Sequence, residues 1–461
     1  MDDKDALIKQ LIAQNAELKA LVLSQAEEIE KLKEKLNKNS NNSSKPPSSD
    51  GLSRPNRSQS MRPKGKKKSG GQKGHRGHTL LQTTEPDYIV PHDVSVCSEC
   101  SKDLSTVAHS RVIKRQVIDI PLPKAKVTEH QALVKECPQC LSKVTGEFPA
   151  DVTAQVQYGA NIKSFALYLQ HQHFIPEDRL QELFVDLFGV KLATATLNRF
   201  TEKLHHTLDK FEQNVLTSVN QSTVKHLDET GFRISGKTQW LHVASTDLFT
   251  YYHVNAKRKA LLPELQNTVV HDHWKPYYQL EDVIHALCNA HHLRELNAFI
   301  ESKELWAKKM KRFLLLGLKY RQHYGEKPIP PDKIDRLIEI YHKILKQGFD
   351  YHEALPPFSE KPKRGRIKHR PGHNLLFRLR NYCGDVLRFL TDPDVPFTNN
   401  QAERDIRMMK CKQKISGGFR TSTGAEQFAR IRGFISTARK QQWNILESIT
   451  NALNSQFPAL T

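Results

Sequence analysis

The first forty residues keep their apolar side chains on a seven-residue period. Ile8, Val22, Ile29 and Leu36 share one stripe with Asn15, and Leu11, Leu18 and Leu32 share a second with Gln25, three residues on. This is an a/d seam with β-branched residues at most a positions and Leu at most d positions, the pairing that favours two strands, and Asn15 is the polar a residue that fixes register. A coiled coil over 1–40 is expected, and a homo-oligomer formed through it. Between 41 and 90 the pattern lapses. A Ser/Asn/Pro run leads into a Lys/Gly/Arg tract, Lys64 to Arg76, which cannot bury a core and reads as a basic linker. Val112–Ile120 and Lys126–Val134 alternate with period two and predict a hairpin inside a module over 91–147. From 155 to 215 the period is helical: Leu180, Leu183, Phe184 and Leu187 lead to Gly189, which stops one helix, and Thr194 opens the next through Leu197, Phe200 and Leu204. Helix, glycine turn, helix is the outline of a DNA-binding helix-turn-helix and equally of an ordinary helical hairpin.

The period changes again at Val224. Val224–Ile234, Trp240–Ala244 and Phe249–Val254 alternate and are rich in aromatics, Thr268–Asp272 is a short strand ending on an acid, and Ile284–Cys288 runs into a helix through His291, Leu293, Leu296 and Phe299. Three antiparallel-type strands followed by alternating strand and helix make a mixed sheet of ribonuclease-H type the simplest packing. That core begins at 220–301, a helical insertion follows over 302–394, the core resumes over 395–415 on a helix that Thr398 or an adjacent Asn caps, and 416–461 is a helical tail. The fold class expected is multidomain α+β: coiled coil, zinc-ribbon-like module, helical domain, and ribonuclease-H-like α/β core.

Composition narrows the function. A chain of 461 residues, 38% hydrophobic and 26% charged, has no apolar run near the ~18 residues that a membrane span needs, and Met1-Asp2-Asp3-Lys4-Asp5 is no signal peptide. A membrane location is therefore excluded. The odd, low count of 7 cysteines suits a reducing cytoplasm. Net charge is +20 and it is focused: 51–84 holds nine Lys/Arg and no acid, 361–384 eight and no acid, and 404–440 ten against Asp405 and Glu426. Focused cations predict a polyanion partner, most simply DNA, in a nucleoid-associated protein. Lys66, Lys67 and Lys68 are the candidates for sequence-indifferent phosphate contact.

Two kinds of metal chemistry are legible. Cys97-x-x-Cys100 and Cys137-x-x-Cys140 are two tight-turn thiol pairs, the donor set of a structural, tetrahedral Zn²⁺ site. Acids gathered at a sheet edge suit two-metal phosphoryl chemistry with Mg²⁺ or Mn²⁺. Asp228, Asp272 and Glu403 could converge in this way, but spacing alone does not select them: Glu229 competes for the first position, Asp247 and Asp282 for the second. Glu403, Arg407 and Lys410 share one stripe of their helix, which is also how a solvated, salt-bridged helix looks. His271, His273, Cys288, His291 and His292 leave open a second zinc site near Asp272.

Asn42-Ser-Ser-Lys-Pro-Pro-Ser-Ser-Asp50, the double CxxC, Leu227-Asp228-Glu229-Thr230, Cys288-x-Ala290-His291 and Asn399-Asn400-x-Ala402-Glu403-Arg404-x-Ile406-Arg407 together resemble the insertion sequence 66 family of DDE transposases, in order over nearly the whole chain. The resemblance implies an enzyme that binds its element's ends, hydrolyses them to free 3′-hydroxyls and transfers those strands to target DNA, and it leaves accessory transposition proteins open as partners. It implies Asp228, Asp272 and Glu403 as the catalytic, metal-holding triad, Lys410 as a terminal-DNA lysine, and Arg404 and Arg407 as DNA-binding neighbours. Asp272 is followed by His273-Trp274 where the family commonly has Gly-Tyr, and Asn289 stands where it has Trp, which marks a divergent branch. The other class of reading is a DNA-binding regulator with a decayed catalytic fold.

Overall fold

The computed structural model describes residues 2–43, 80–262, 264–356 and 369–460. Lys66, Lys67 and Lys68, most of the linker, and residues 361–368 of the second basic stretch lie outside the described residues. The chain divides into two units, one of 59–127 with 187–189, the other of 1–58, 128–186 and 190–461.

The larger unit opens on one continuous helix, α1 (Asp2–Asn37). Ile8, Leu11, Leu18, Val22, Ile29 and Leu32 of its apolar seam are all about half exposed. The turn after α1 is tied down. Asn42 donates to the Glu301 carboxylate at 2.9 Å, and Asn297 donates to the Asn41 carbonyl at 3.0 Å.

Both CxxC pairs form the same turn. In the smaller unit the Cys97 N–H donates to the Lys102 carbonyl at 2.9 Å and the Ser101 N–H to the Cys97 carbonyl at 3.0 Å. In the larger unit Cys137, Ser142 and Leu141 repeat the pattern at 2.9 and 2.8 Å. Ser101 and Leu141 take matching positive φ angles of 57° and 56°. Short antiparallel strands β1 (Val134–Glu136) and β2 (Lys143–Thr145) flank the second turn, and a single bridge, Val96 to Asp103, flanks the first. The long hairpin expected from Val112–Ile120 and Lys126–Val134 does not form: both runs are without strand except at Val134. Their apolar side chains are solvent-exposed, Val117 and Val127 above 90%, so alternation had no face to bury. Each hairpin is instead nucleated by its own cysteine turn.

Helices α2 (Ala160–Leu167), α3 (Glu177–Phe188), α4 (Thr194–Thr207) and α5 (Asp209–Gln221) follow, with a π-helical turn at Tyr168–Gln172. Gly189 takes φ +67° after α3, a conformation that costs a residue with Cβ more. Thr194 lies inside α4, whose N-cap is Ala193.

Five strands come next: β3 (Val224–Ile234), β4 (Lys237–Ser245), β5 (Thr250–Asn255), β6 (Asn267–His271) and β7 (Val283–Leu287). They form one mixed sheet in the order β5-β4-β3-β6-β7, with β3, β4 and β5 antiparallel and β6 and β7 parallel to β3. The remaining helices are α6 (Asn289–Glu301), α7 (Leu305–Tyr324), α8 (Pro331–Glu353), α9 (Pro371–Asn381), α10 (Cys383–Thr391), α11 (Asn400–Ser416), α12 (Ser422–Lys440) and α13 (Ile445–Leu453). Two apolar clusters cover the sheet. Val270, Ala286 and Leu287 pack with α7 to α10, while Phe232, Leu241 and Val243 pack under α11 and α12 through Ala402, Ile406 and Phe428. No described helix is long and apolar enough to cross a membrane.

Candidate active site

Strand alternation decides where the acids point. Asp228 pairs with Val243 across β3 and β4, and paired residues share a face. Val243 lies in the apolar cluster under α11, so Asp228 faces that helix. Asp272 is the first residue past β6, one position beyond the strand's end. Glu403 sits in the first turn of α11.

Asp228 feels both of the other acids. Burial, then the nearby charges of Glu229, Asp272 and Glu403, hold the Asp228 carboxyl well above the usual carboxylate range. Asp272 is pushed up to about 6, first by burial and then by Glu229, although the Trp274 N–H donates to its Oδ1 at 2.9 Å. Glu403 Oε1 is buried without a hydrogen-bond partner among the described residues; the Arg294 guanidinium lies 3.8 Å away and His291 Nδ1 3.9 Å. The competing acids lie differently. Asp247 and Asp282 are exposed in turns. Glu229 is engaged on both oxygens, Oε1 by Arg258 at 2.6 and 3.0 Å and Oε2 by the Tyr277 hydroxyl. Arg258 is stacked between Trp274 and Trp240, 4.2 and 4.9 Å from the ring centroids, so Glu229 has little freedom to turn toward an ion.

The histidines around the acids are uncharged. Burial lowers His271 and His291 to about 3, His273 to about 4, and His292 well below its ordinary value. His271 and His292 are spent on neighbours, His285 at 3.0 Å and Asn289 at 3.1 Å. Cys288, His291 and Glu403 stand apart from this pattern: their ligand atoms all lie within 4.8 Å of one another, the one such group of three among the described residues. The acid triad is not gathered that closely.

Asn399 holds the helix of Glu403 to the sheet. It precedes α11 as N-cap but makes no side-chain cap. Its Nδ2 instead donates to the Leu227 carbonyl at 2.7 Å, and its Oδ1 lies 2.9 Å from His226 Nδ1, so both bonds land on the strand immediately before Asp228. Its backbone N–H donates to Cys288 Sγ at 3.1 Å, while the Asn289 N–H donates to the Phe397 carbonyl at 3.0 Å. A second lock lies two residues beyond Glu403. Asp405 Oδ2 accepts from Ser245 at 2.6 Å, Lys440 at 2.8 Å and Thr250 at 3.1 Å, and Ser436 reaches its Oδ1 at 3.3 Å. Neither lock was read in the sequence, where Asn399 figured only as a possible cap beside Thr398 and Asp405 only as one of two acids in a basic stretch. The Asn-Asn pair directly before the glutamate was the available signal.

The expected DNA contacts divide. Arg404 and Arg407 are exposed on α11. Lys410 Nζ donates to the Gly231 carbonyl at 2.6 Å and is lowered by burial, so it is engaged with β3. The cysteine turns carry thiols held below their usual range, Cys97 chiefly by the Cys100 N–H and Cys140 chiefly by the Ser142 hydroxyl.

Replacing Asn399 with Ala strands the Leu227 carbonyl and His226 in a buried site. Unfolding free energy should fall by roughly 2–4 kcal/mol, read by denaturant titration, whereas Asn400→Ala at the exposed neighbouring position should change it by less than about 0.5 kcal/mol. Equal effects of the two substitutions would mean that Asn399 is no clamp.

Two family profiles match the chain: a family of unknown function (DUF6444) over residues 1–80, and the Transposase IS66 family over residues 155–427, which spans the sheet, the insertion helices and α11. No curated protein matches it. With more than half of its length matched, and with the acids of β3, β6 and α11 all inside the matched region, the chain belongs to the IS66 family of transposases.

Proposed function

We propose that this transposase hydrolyses the ends of its insertion element to free 3′-hydroxyl groups and transfers those strands to target DNA, using Asp228, Asp272 and Glu403. One observation carries this reading: burial, Glu229 and, from two other segments, Asp272 and Glu403 together hold the Asp228 carboxyl well above its usual range. The strand order, with Asp228 on the central strand and Asp272 just past the end of its parallel neighbour, supports reading the sheet as a ribonuclease-H-like core. The helices between α6 and α11 are then an insertion into it.

The residues suit divalent cations. Asp228 and Asp272 resist ionising side by side, and Glu403 Oε1 is buried without a hydrogen bond, so negative potential is left unmet. Hard cations such as Mg²⁺ or Mn²⁺ favour carboxylate oxygens, and two of them would activate the attacking oxygen and stabilise the leaving one in an in-line displacement. The chain's own part is positional. Asn399 and Asp405 fix Glu403 against β3, Arg258 and Tyr277 keep Glu229 aside, and the neutral histidines add no competing charge. Arg404 and Arg407 lie outward on α11 for phosphates, α4 turns Asn198, Arg199 and Lys203 to solvent as a DNA-reading helix would, and Lys66, Lys67 and Lys68 add salt-sensitive affinity. The four cysteines are proposed to hold structural Zn²⁺, and α1 to pair with a second copy through its exposed seam.

Three measurements test these roles. Asp228→Asn, Asp272→Asn and Glu403→Gln should each lower end cleavage and strand transfer at least ~100-fold while leaving end binding within about threefold. Asp247→Asn and Asp282→Asn should cut normally; if one of them fails and Asp272→Asn still cuts, the second acid is misassigned. Purified protein should retain about one tightly held zinc per chain, lost in Cys97→Ser or Cys140→Ser, and a zinc-free wild type would reject the site. Deleting residues 1–40 should reduce the sedimenting species to a monomer, and an unchanged assembly would make the heptad incidental.

A further inference from the structure

Cys288 and His291 are not needed by the reaction proposed above, yet they meet its glutamate. Cys288 is the N-cap of α6, and His291 lies in that helix's first turn. A residue and its neighbour three positions on share a helix face, so both ligand atoms point the same way. Glu403 arrives from α11, which Asn399 holds against Cys288 itself. His291 Nδ1 and Glu403 Oε1 are both buried, 3.9 Å apart, and neither has a hydrogen-bond partner among the described residues. Two orphaned atoms at that separation are too far apart to bond each other. They are close to the ~3.3 Å that two ligand atoms span on one tetrahedral zinc with bonds of about 2.0–2.1 Å.

The surroundings leave room for an ion. A cavity of about 170 Å³ lies against Cys288 and His291, bounded also by Asp272, Trp274 and Arg378. Glu403 does not line this cavity, so an ion held by all three side chains would sit at its margin, with a fourth position open toward it, the layout of an accessible rather than a structural zinc site. The donor set is one thiol, one imidazole and one carboxylate. A thiol ligand selects Zn²⁺ and similar borderline-soft ions over Mg²⁺.

We propose that Cys288 Sγ, His291 Nδ1 and Glu403 Oε1 form a binding site for a zinc-class divalent ion, and that filling it withdraws Glu403 from the acid triad and holds the transposase inactive. On binding, the Cys288 thiol gives up its proton to solvent and the thiolate takes its place on the metal; His291 contributes a lone pair from its neutral ring. Thiolate and carboxylate then balance the ion's two charges. The inhibitory half rests on the role proposed above for Glu403; the binding half does not.

Full-length protein that retains its purified zinc is titrated with Co²⁺, whose thiolate charge-transfer absorption reports cysteine ligation. The wild type should show about one equivalent more of this absorption than Cys288→Ser or His291→Ala, with any absorption common to all three arising at the other cysteines. Serine still accepts the Asn399 N–H, and His291→Ala decides the matter if Cys288→Ser misfolds. In Mg²⁺-supported end cleavage, zinc should inhibit the wild type, and Cys288→Ser should need at least ~10-fold more zinc for half inhibition. No difference in cobalt absorption between the wild type and either variant overturns the site, whatever the cleavage result. Cobalt binding in a protein that never cleaves in Mg²⁺ leaves the site standing and rejects the function. Equal zinc inhibition of the wild type and Cys288→Ser overturns the competition for Glu403.

Discussion

A buried side-chain amide must find partners for its donors and its acceptor, or it costs the fold more than it returns. Asn399 meets that demand on β3 alone, through the Leu227 carbonyl and His226, and its backbone N–H reaches Cys288 at the far end of the sheet's parallel half. Those bonds tie the start of α11 both to β3 and to the residue that follows β7, on either side of β6. Glu403, four residues on, inherits its position from them. The acid constellation is thus a by-product of satisfying one amide, and the apolar contacts of Ala402 and Ile406 beneath α11 keep the rest of the helix in register with the sheet.

The Asp405–Lys440 pair works on the other side of the same helix. Its side chains are 12% and 9% exposed, so each charge depends on the other and on the hydroxyls of Ser245, Thr250 and Ser436. Removing one partner of such a pair costs about 3–5 kcal/mol, because the remaining charge stays buried. Lys440 also donates to the Thr246 and Phe249 carbonyls, which join β4 to β5. Sheet edge, glutamate helix and α12 therefore move as one body around Glu403.

What could be read in the sequence follows from which forces leave a local trace. The five core strands were legible, in their order of appearance, as β-rich runs bounded by turn residues, and in the folded sheet they are buried in runs because apolar clusters cover it, with Asp272 falling one residue past its strand. The hairpin over Val112–Ile120 alternates just as well but has nothing to pack on, and periodicity carries no information about what lies above a face. Asn399 and Asp405 left no trace that propensity could use: a capping residue and a surface acid look the same as a clamp and a buried ion when their partners are distant in sequence. Asp228 could be told from Glu229 only through the sheet, since adjacent residues on a strand point to opposite faces and only one of those faces α11. The gathering of Cys288, His291 and Glu403 was half visible, as Cys-x-x-His, and its third member came from a helix far along the chain.

The Asp405 lock has a consequence for the order in which the protein is made. A ribosome that has just added Asp405 has supplied all three acids but not Ser436 or Lys440, so Asp405 then lacks the cation and one of the hydroxyls that hold it in the folded protein. Until the end of α12 has left the exit tunnel, α11 has only Asn399, Ala402 and Ile406 to seat it against the sheet, with the Asp405 charge unpaired. Any product released early between these points carries the three carboxylates without the lock that Ser436 and Lys440 complete. The helix that carries Glu403 is in this way fully locked only once Lys440 has been made.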